Sequence, residues 1–265
     1  MTGRGGHPDL TRVRLPVDTR APDGTTNAYV VDGLLVDPAA RTDALDAAAG
    51  RSETAVDAIA VTHTHSDHVG AVASYAASTN AAVFAHADHV DRFVDATGVE
   101  PDATFRDGDP IGDTGVRAVD TPGHAPDHVA FAVASDTDSA TELLCGDLAV
   151  AKGSVVVGGP GADLREYLDS LERVRDAGYD RLHPGHGSPI DDPTATCQRL
   201  IDHRLARERA VLAAVEGGAG DVDSVVDAAY EKDLVGVEDL ARATVRAHLE
   251  KLAVEGRVGD SWRRR

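Results

Sequence analysis

An α/β sandwich with helices on its outer faces, followed by a small helical unit of winged-helix type, is the architecture this 265-residue sequence predicts. Three observations point to it. Short β-rich runs alternate with helical spacing through about residue 190, an order that favours a sheet-based core with helices packed outside. After Pro193 the pattern turns almost purely helical. The charge steps at the same place: residues 1–192 hold 32 acidic and 14 basic residues, whereas 193–265 hold 13 and 12. Two units are therefore expected, at 1–192 and 193–265.

The elements follow in order. Strands are predicted at 11–17, 26–36 with a turn at Asp32-Gly33, 56–62, 81–86, 115–120, 128–134, 140–146 and 179–183, from β-branched and apolar runs bounded by turn residues. Helical spacing fills 42–49, 69–78, 88–96 and 164–177. In the last of these, Leu164, Tyr167, Leu168, Leu171 and Val174 form one apolar stripe. The C-terminal unit reads as helices over 194–215, 221–230 and 238–254. The third carries Leu240, Val245, Leu249 and Leu252, and Gly256-Arg257-Val258-Gly259 after it reads as a hairpin wing.

Composition limits the function. Hydrophobic residues make up 42% and charged residues 27%, as in ordinary globular proteins. No apolar run approaches the roughly 18 to 20 residues that span a bilayer. The N-terminus lacks the apolar segment of a secretory signal, so a soluble cytoplasmic protein with no membrane partner is expected. Cys145 and Cys197 are too few for a disulfide framework and read as a buried strand thiol and a helix residue. The formal net charge is −19, and only Lys152, Lys232 and Lys251 are lysines. Short carboxylates hold water and cations, and concentrated salt screens their mutual repulsion. A halophilic, salt-rich cytoplasm is the reading.

The chemistry concentrates in Thr62-His63-Thr64-His65-Ser66-Asp67-His68, directly after the apolar run Ala58-Ile59-Ala60-Val61. Residues two apart share a strand face, so His63 and His65 point to one side, and the turn that follows swings Asp67 and His68 round the same point. Imidazoles and a carboxylate converging there suit a divalent metal of nitrogen and oxygen preference, zinc foremost, with iron or manganese as alternatives. Further candidates each follow a predicted strand: His124 in Thr121-Pro122-Gly123-His124, Asp147 after Glu142-Leu143-Leu144-Cys145-Gly146, and His186 in His183-Pro184-Gly185-His186-Gly187. Loop-borne groups at several strand ends on one sheet edge are how a rigid scaffold builds a site.

Taken together, HxHxDH, a lone His, Gly-Asp and PGHG resemble the metallo-β-lactamase superfamily, over about residues 10 to 190. The resemblance implies a four-layer αββα sandwich. It also implies His63, His65 and His124 as ligands of a first metal, Asp67, His68 and His186 as ligands of a second, and Asp147 as the carboxylate bridging both. All seven are present, which favours two divalent ions over one. Such a pair lowers the pKa of a bridging water and polarises the scissile group, and Asp67 is expected to orient the hydroxide and carry its proton. One departure lies early in the chain: Asp37 is kept, but Pro38-Ala39-Ala40 follows it where the family often has Thr-Gly or Ala-Gly.

The remaining histidines carry less. His86, His89, His128, His203 and His248 read as surface or core residues, and His183 stands open between core and pocket lining. His7 falls in a loose terminus. Gly158 to Asp163 could cradle an anion, but a turn capped by Asp163 is the simpler reading, which leaves Lys152 and Arg165 as weak substrate contacts.

Helix 198–208 after the PGHG turn, the Tyr167-Leu168-Asp169-Ser170-Leu171 stretch and the winged-helix tail are similar to the lactamase-beta-like protein 2 group, whose animal members are single-strand endoribonucleases. The expected function is metal-dependent hydrolysis of a small ester, thioester or lactone, like a hydroxyacylglutathione hydrolase. A single-strand endoribonuclease is the alternative, with an iron persulfide dioxygenase and a DNA-binding regulator behind it. A nucleic-acid partner is possible but not favoured: the basic end, Trp262-Arg263-Arg264-Arg265, leans toward one, but Arg242, Arg246 and Lys251 are offset by Glu238, Asp239, Glu250 and Glu255. The tail then serves as a cap over the pocket or a homodimer contact.

Overall fold

The computed structural model describes residues 10–50, 56–134, 140–231 and 234–262. His7 and the basic end, Arg263 to Arg265, lie outside the described residues. The first unit begins with β1 (Thr11–Pro16), β2 (Thr25–Val31), β3 (Leu34–Val36), α1 (Asp43–Ala49) and β4 (Ala58–Ala60). Next come α2 (Ser66–Val69), α3 (Val72–Thr79), β5 (Ala82–His86), α4 (Val90–Thr97) and β6 (Ala103–Phe105). The second half of the sandwich holds β7 (Val116–Asp120), β8 (Val129–Ala134), β9 (Ala140–Gly146), α5 (Leu164–Ala177) and β10 (Arg181–Pro184). The tail is α6 (Pro193–Glu216), α7 (Val222–Ala229) and α8 (Glu238–Val254).

Two sheets form, in the orders β1-β2-β3-β4-β5-β6 and β10-β9-β8-β7. Their facing sides share one core, in which Tyr29, Val31, Leu34 and Val36 meet Val116, Phe131, Val133 and Leu144. The outer face of the first sheet packs Ala28, Val30 and Ile59 against Leu45, Val72, Tyr75 and Phe93 of the helices. The outer face of the second packs Ala130, Leu143 and Cys145 against Leu164, Tyr167 and Leu171 of α5 and Leu200 of α6. This is the four-layer αββα arrangement. Because both sheets are covered on both sides, β2 is buried at nearly every position instead of alternating.

Local signals set the boundaries. Thr42 caps α1 by accepting from Leu45 N–H, Asp163 caps α5, and Asp192 caps α6 ahead of Pro193. Asp221 and Ser224 form a reciprocal capping box at α7. The helix expected over 69–78 is two helices broken at Gly70-Ala71, and β6 is a strand that the sequence pattern did not indicate. The wing expected at 256–259 is a correction: among the described residues that segment is a turn and bend leading into a 3-10 turn at Asp260–Trp262, with no strand pairing. Arg257 is drawn inward to Glu208 on α6 at 2.7 Å, which holds the segment against the helices and away from a sheet.

The long helix α6 belongs to two cores. Cys197, Leu200 and Ile201 in its first half join the outer layer of the sandwich. Val211 and Ala214 in its second half pack with Val225, Val245, Leu249 and Leu252 of the tail. Among the described residues no helix is long and apolar enough to cross a membrane.

Candidate metal centre

β7, β9 and β10 run in one direction within their sheet, so the segments after them leave from one edge. Those segments carry His124, Asp147 and His186, and the segment after β4 carries His63, His65 and helix α2 with Asp67 and His68. All seven predicted residues converge. His65 Nδ1 lies 3.0 Å from His63 Nε2 and 3.0 Å from His124 Nε2. Asp147 stands between the two sets, with Oδ2 3.6 Å from His124 Nε2 and 3.4 Å from His186 Nε2, and Oδ1 3.7 Å from His68 Nε2. Asp67 Oδ2 lies 3.6 Å from His186 Nε2. Three donor groups result: His63, His65 and His124; His63, His68 and Asp147; and Asp67, His68 and His186.

Four of the five imidazoles are oriented by a partner on the far side, which also sets which nitrogen faces inward. His124 Nδ1–H donates to Val156 O at 2.8 Å and His186 Nδ1–H to Thr25 O at 2.8 Å. His68 Nδ1–H donates to Asp37 Oδ2 at 2.9 Å. The Thr62 hydroxyl donates to Asp37 Oδ2 at 2.8 Å, so it accepts from His63 Nδ1–H at 3.1 Å. In all four rings Nε2 is therefore the nitrogen turned into the centre.

That inward array fits divalent cations. His68 Nε2 and Asp147 Oδ1 are buried without a hydrogen-bond partner, a costly state unless an ion completes them. Lone pairs of His63 and His124 face that of His65 at about the spacing tetrahedral zinc imposes on nitrogens roughly 2.0 Å away. Gly185 explains the PGHG motif: a Cβ there would lie 2.7 Å from Asp147 Oδ1 and 2.7 Å from His68 Cε1. Gly123, at φ +123°, lets the backbone beside His124 press on the start of α5, where a Cβ would meet Tyr167 N.

Electrostatics divide the two sets: His63, His65 and His124 are lowered, whereas His186 and His68, beside ionised carboxylates, are raised. Burial, reinforced by the neighbouring imidazoles, holds His63 well below the ordinary histidine range and lowers His65 to about 4. Burial also lowers His124, against the pull of Asp147. For His186 burial is outweighed by the hydrogen bond and charge of Asp147, which raise it to about 9. Burial opposes ionisation of Asp147, but His186, His68 and His124 together push its carboxyl far below the usual range.

Several functional side chains were not selected from the sequence for what they do here. Asp37, buried with φ +51°, takes the Thr62 N–H at 2.7 Å as well as the Thr62 hydroxyl and His68, so one carboxylate pins both ends of the His63-to-His68 segment. Its Pro38 carbonyl accepts from Ala71 N–H at 2.8 Å, tying this turn to α2. His128 is a core residue as expected, yet its Nε2 accepts the Asp147 N–H at 3.0 Å and so holds the bridging residue's backbone. Asp127 accepts from Thr64 N–H at 2.8 Å and pairs with Arg92 at 2.9 Å. Thr19, from the loop between β1 and β2, donates to Asp67 Oδ2 at 2.6 Å. His183 resolves to the core: it is buried, its Nε2 2.7 Å from Glu142 and its ring edge-on to Tyr29. His86 pairs with Asp120 at 3.1 Å, and Asp163 caps α5 while Arg165 folds back onto it. Both cysteines are buried and unpaired.

With this fold and this cluster in place, comparison with known proteins is direct. Residues 21–186 match the metallo-beta-lactamase superfamily, and the chain belongs to that family of generally hydrolytic enzymes. It is 31% identical over 220 residues to a Drosophila melanogaster protein named Beta-lactamase-like protein 2 homolog, covering 78% of this chain and 72% of that protein. A Thermus thermophilus metallo-beta-lactamase family protein of solved structure is 27% identical, with TM-score 0.73, covering 93% of this chain and 94% of that one. A shorter match, 34% identical over 113 residues, is to an Aspergillus fumigatus protein named Atrochrysone carboxyl ACP thioesterase, covering 43% of this chain and 33% of that protein.

Proposed function

We propose that this hydrolase cleaves a small ester, thioester or lactone using two divalent metal ions, zinc foremost. The observation that carries the reading is Asp147, whose carboxylate reaches both donor sets, Oδ2 standing 3.6 Å from His124 and 3.4 Å from His186 while Oδ1 faces His68 at 3.7 Å. His63, His65 and His124 would hold one ion and Asp67, His68 and His186 the other. Bound there, the pair would supply a deprotonated water at neutral pH and polarise the substrate carbonyl. Asp67, partly open to solvent and steadied by Thr19, is the group able to take the proton from the attacking water and return it to the leaving oxygen or sulfur. Complete second-set ligands favour this over a single-iron persulfide dioxygenase.

Charge placement supports a small carbonyl substrate over RNA. Arg20, Arg92 and Arg165, which flank the centre, are paired with Asp239, Asp127 and Asp163. A groove of the tail, about 360 Å³, is lined by Asp223, Asp227 and Glu238, with Arg242 paired to Asp223. A phosphodiester backbone needs unpaired positive charge. The thioesterase name of the Aspergillus relative supports the thioester branch. The test is metal analysis of the purified protein, followed by thioester, lactone and single-stranded RNA turnover in high KCl. Two zinc ions with thioester or lactone turnover support the proposal. RNA cleavage alone, or one iron with oxygen uptake, overturns it.

A further inference from the structure

We infer that the C-terminal helical unit is an outer tier of the metal centre and reaches each ligand set through a separate loop. The inference rests on the two-metal reading above and concerns which distant residues set the affinity of each half.

The first arm is the loop 17–24 between β1 and β2. Thr19 Oγ accepts the Ala21 N–H at 3.2 Å, so its single proton is directed to Asp67 Oδ2 at 2.6 Å. The next residue, Arg20, forks onto Asp239 in the first turn of α8, with both contacts at 3.1 Å, and donates to Gly236 O at 3.0 Å. A bidentate arginine–carboxylate pair fixes direction as well as distance. A tail carboxylate thus sets where the loop lies, and the loop sets where Asp67 points.

The second arm is the segment after Asp147. Val156 O holds His124 Nδ1–H, and the carbonyl one residue earlier, Val155 O, accepts from Arg204 of α6. Arg204 is buried and lies over the Tyr167 ring, 5.5 Å from its centroid. One helical turn earlier, Arg199 donates to Gly153 O at 2.7 Å and Val150 O at 2.9 Å. The α6 guanidiniums therefore hold the strip whose carbonyl selects the His124 tautomer. The second arm touches no inward-facing ligand atom and the first touches only Asp67 Oδ2, through the Thr19 hydroxyl, so each positions a ligand instead of supplying one.

Partners that hydrogen-bond a ligand directly typically change metal affinity by about 10- to 100-fold when removed, which is the position of Thr19, whereas Arg20 and Arg204 act one contact further out. The experiment strips the full-length protein of metal and titrates zinc against a chromophoric chelator in KCl, with cobalt(II) absorption as a second readout. His186→Ala and His65→Ala mark which ion belongs to which set. Thr19→Val is expected to weaken the ion lost in His186→Ala by about 10- to 100-fold, Arg20→Ala to weaken the same ion by less, and both to spare the other. Arg204→Met should do the reverse, with Arg204→Lys used instead if the methionine variant does not fold. The charge swap Arg20→Asp with Asp239→Arg should restore the second ion, which an effect on folding alone would not produce. Variants that bind both zinc ions like the parent, even with lowered melting temperatures, overturn the inference. A parent protein that binds no metal overturns the two-metal reading itself.

Discussion

Gly185→Ala probes the bridging geometry at a single atom. The added Cβ would stand 2.7 Å from both Asp147 Oδ1 and His68 Cε1, where carbon contacts normally settle at about 3.5 Å or more. The overlap is therefore roughly 0.8 Å on two ligands at once. Neither can retreat freely: His68 Nδ1 is held by Asp37 at 2.9 Å, and the Asp147 N–H by His128 at 3.0 Å. Overpacking of this kind costs about 1 to 3 kcal/mol, which a protein of this size survives, whereas a displaced bridging ligand should weaken metal binding by about 10- to 100-fold. Thermal melting and elemental analysis of the same preparation separate the two effects. If the Gly185→Ala protein keeps two ions at parental affinity, the reasoning that the PGHG glycine exists to admit Asp147 against His68 is wrong.

Asp147→Ala should deplete metal and abolish turnover with little loss of fold, and full activity would refute the bridging role. Asp37→Ala leaves Thr62 N–H, the Thr62 hydroxyl and His68 Nδ1 without their acceptor, at about 1 to 3 kcal/mol for each buried group left unsatisfied, so urea unfolding should shift even in metal-free protein. His248, buried in the tail and lowered to about 3 chiefly by burial and then by Arg204, stays neutral when folded but takes up a proton when unfolded below about pH 6.5. Its share of stability is complete above that pH and falls by about 1.4 kcal/mol per unit of acidification. His248→Gln should flatten that slope in denaturant midpoints taken at pH 5 to 7, and an unchanged slope would contradict this. With 45 acidic and 26 basic residues, the melting temperature should rise as KCl shortens the screening length from about 10 Å at 0.1 M to about 3 Å at 1 M; a fall would remove the halophilic reading.

The ligand cluster was legible because metal chemistry restricts residue type and strand geometry restricts spacing. His63 and His65 declare themselves locally, and His124, Asp147 and His186 follow strands that hydrophobic runs already mark. Strands β9 and β10 and helices α5 and α8 were readable for the same reason, since their apolar periodicity answers to cores on known sides. What stayed hidden acts through long-range contacts or main-chain atoms. Thr19 is an ordinary loop residue until folding places it beside Asp67, 48 positions away. Val156 contributes only a carbonyl, which any residue could supply. Asp37 was noticed as a kept aspartate, but its three donors stand 25 and 31 positions further along the chain. Strand β6 is three residues, Ala-Thr-Phe, too short for alternation to show. The turn at 256–259 looked like a wing because glycines flank a β-branched residue, and nothing local revealed that Glu208 draws Arg257 inward.

Because α6 inserts Cys197, Leu200 and Ile201 into the sandwich and Val211 and Ala214 into the tail, the two cores share one rod. Cutting the chain at residue 192 would peel off part of the sandwich's outer layer and leave the surface of α5 that faces it wet, at roughly 2 kcal/mol for each large aliphatic side chain uncovered. A shortened protein ending there should aggregate or melt early, and the intact chain should unfold in one step. Any lineage that exchanged the tail for another module would have had to keep the first half of α6 as a grafting stub.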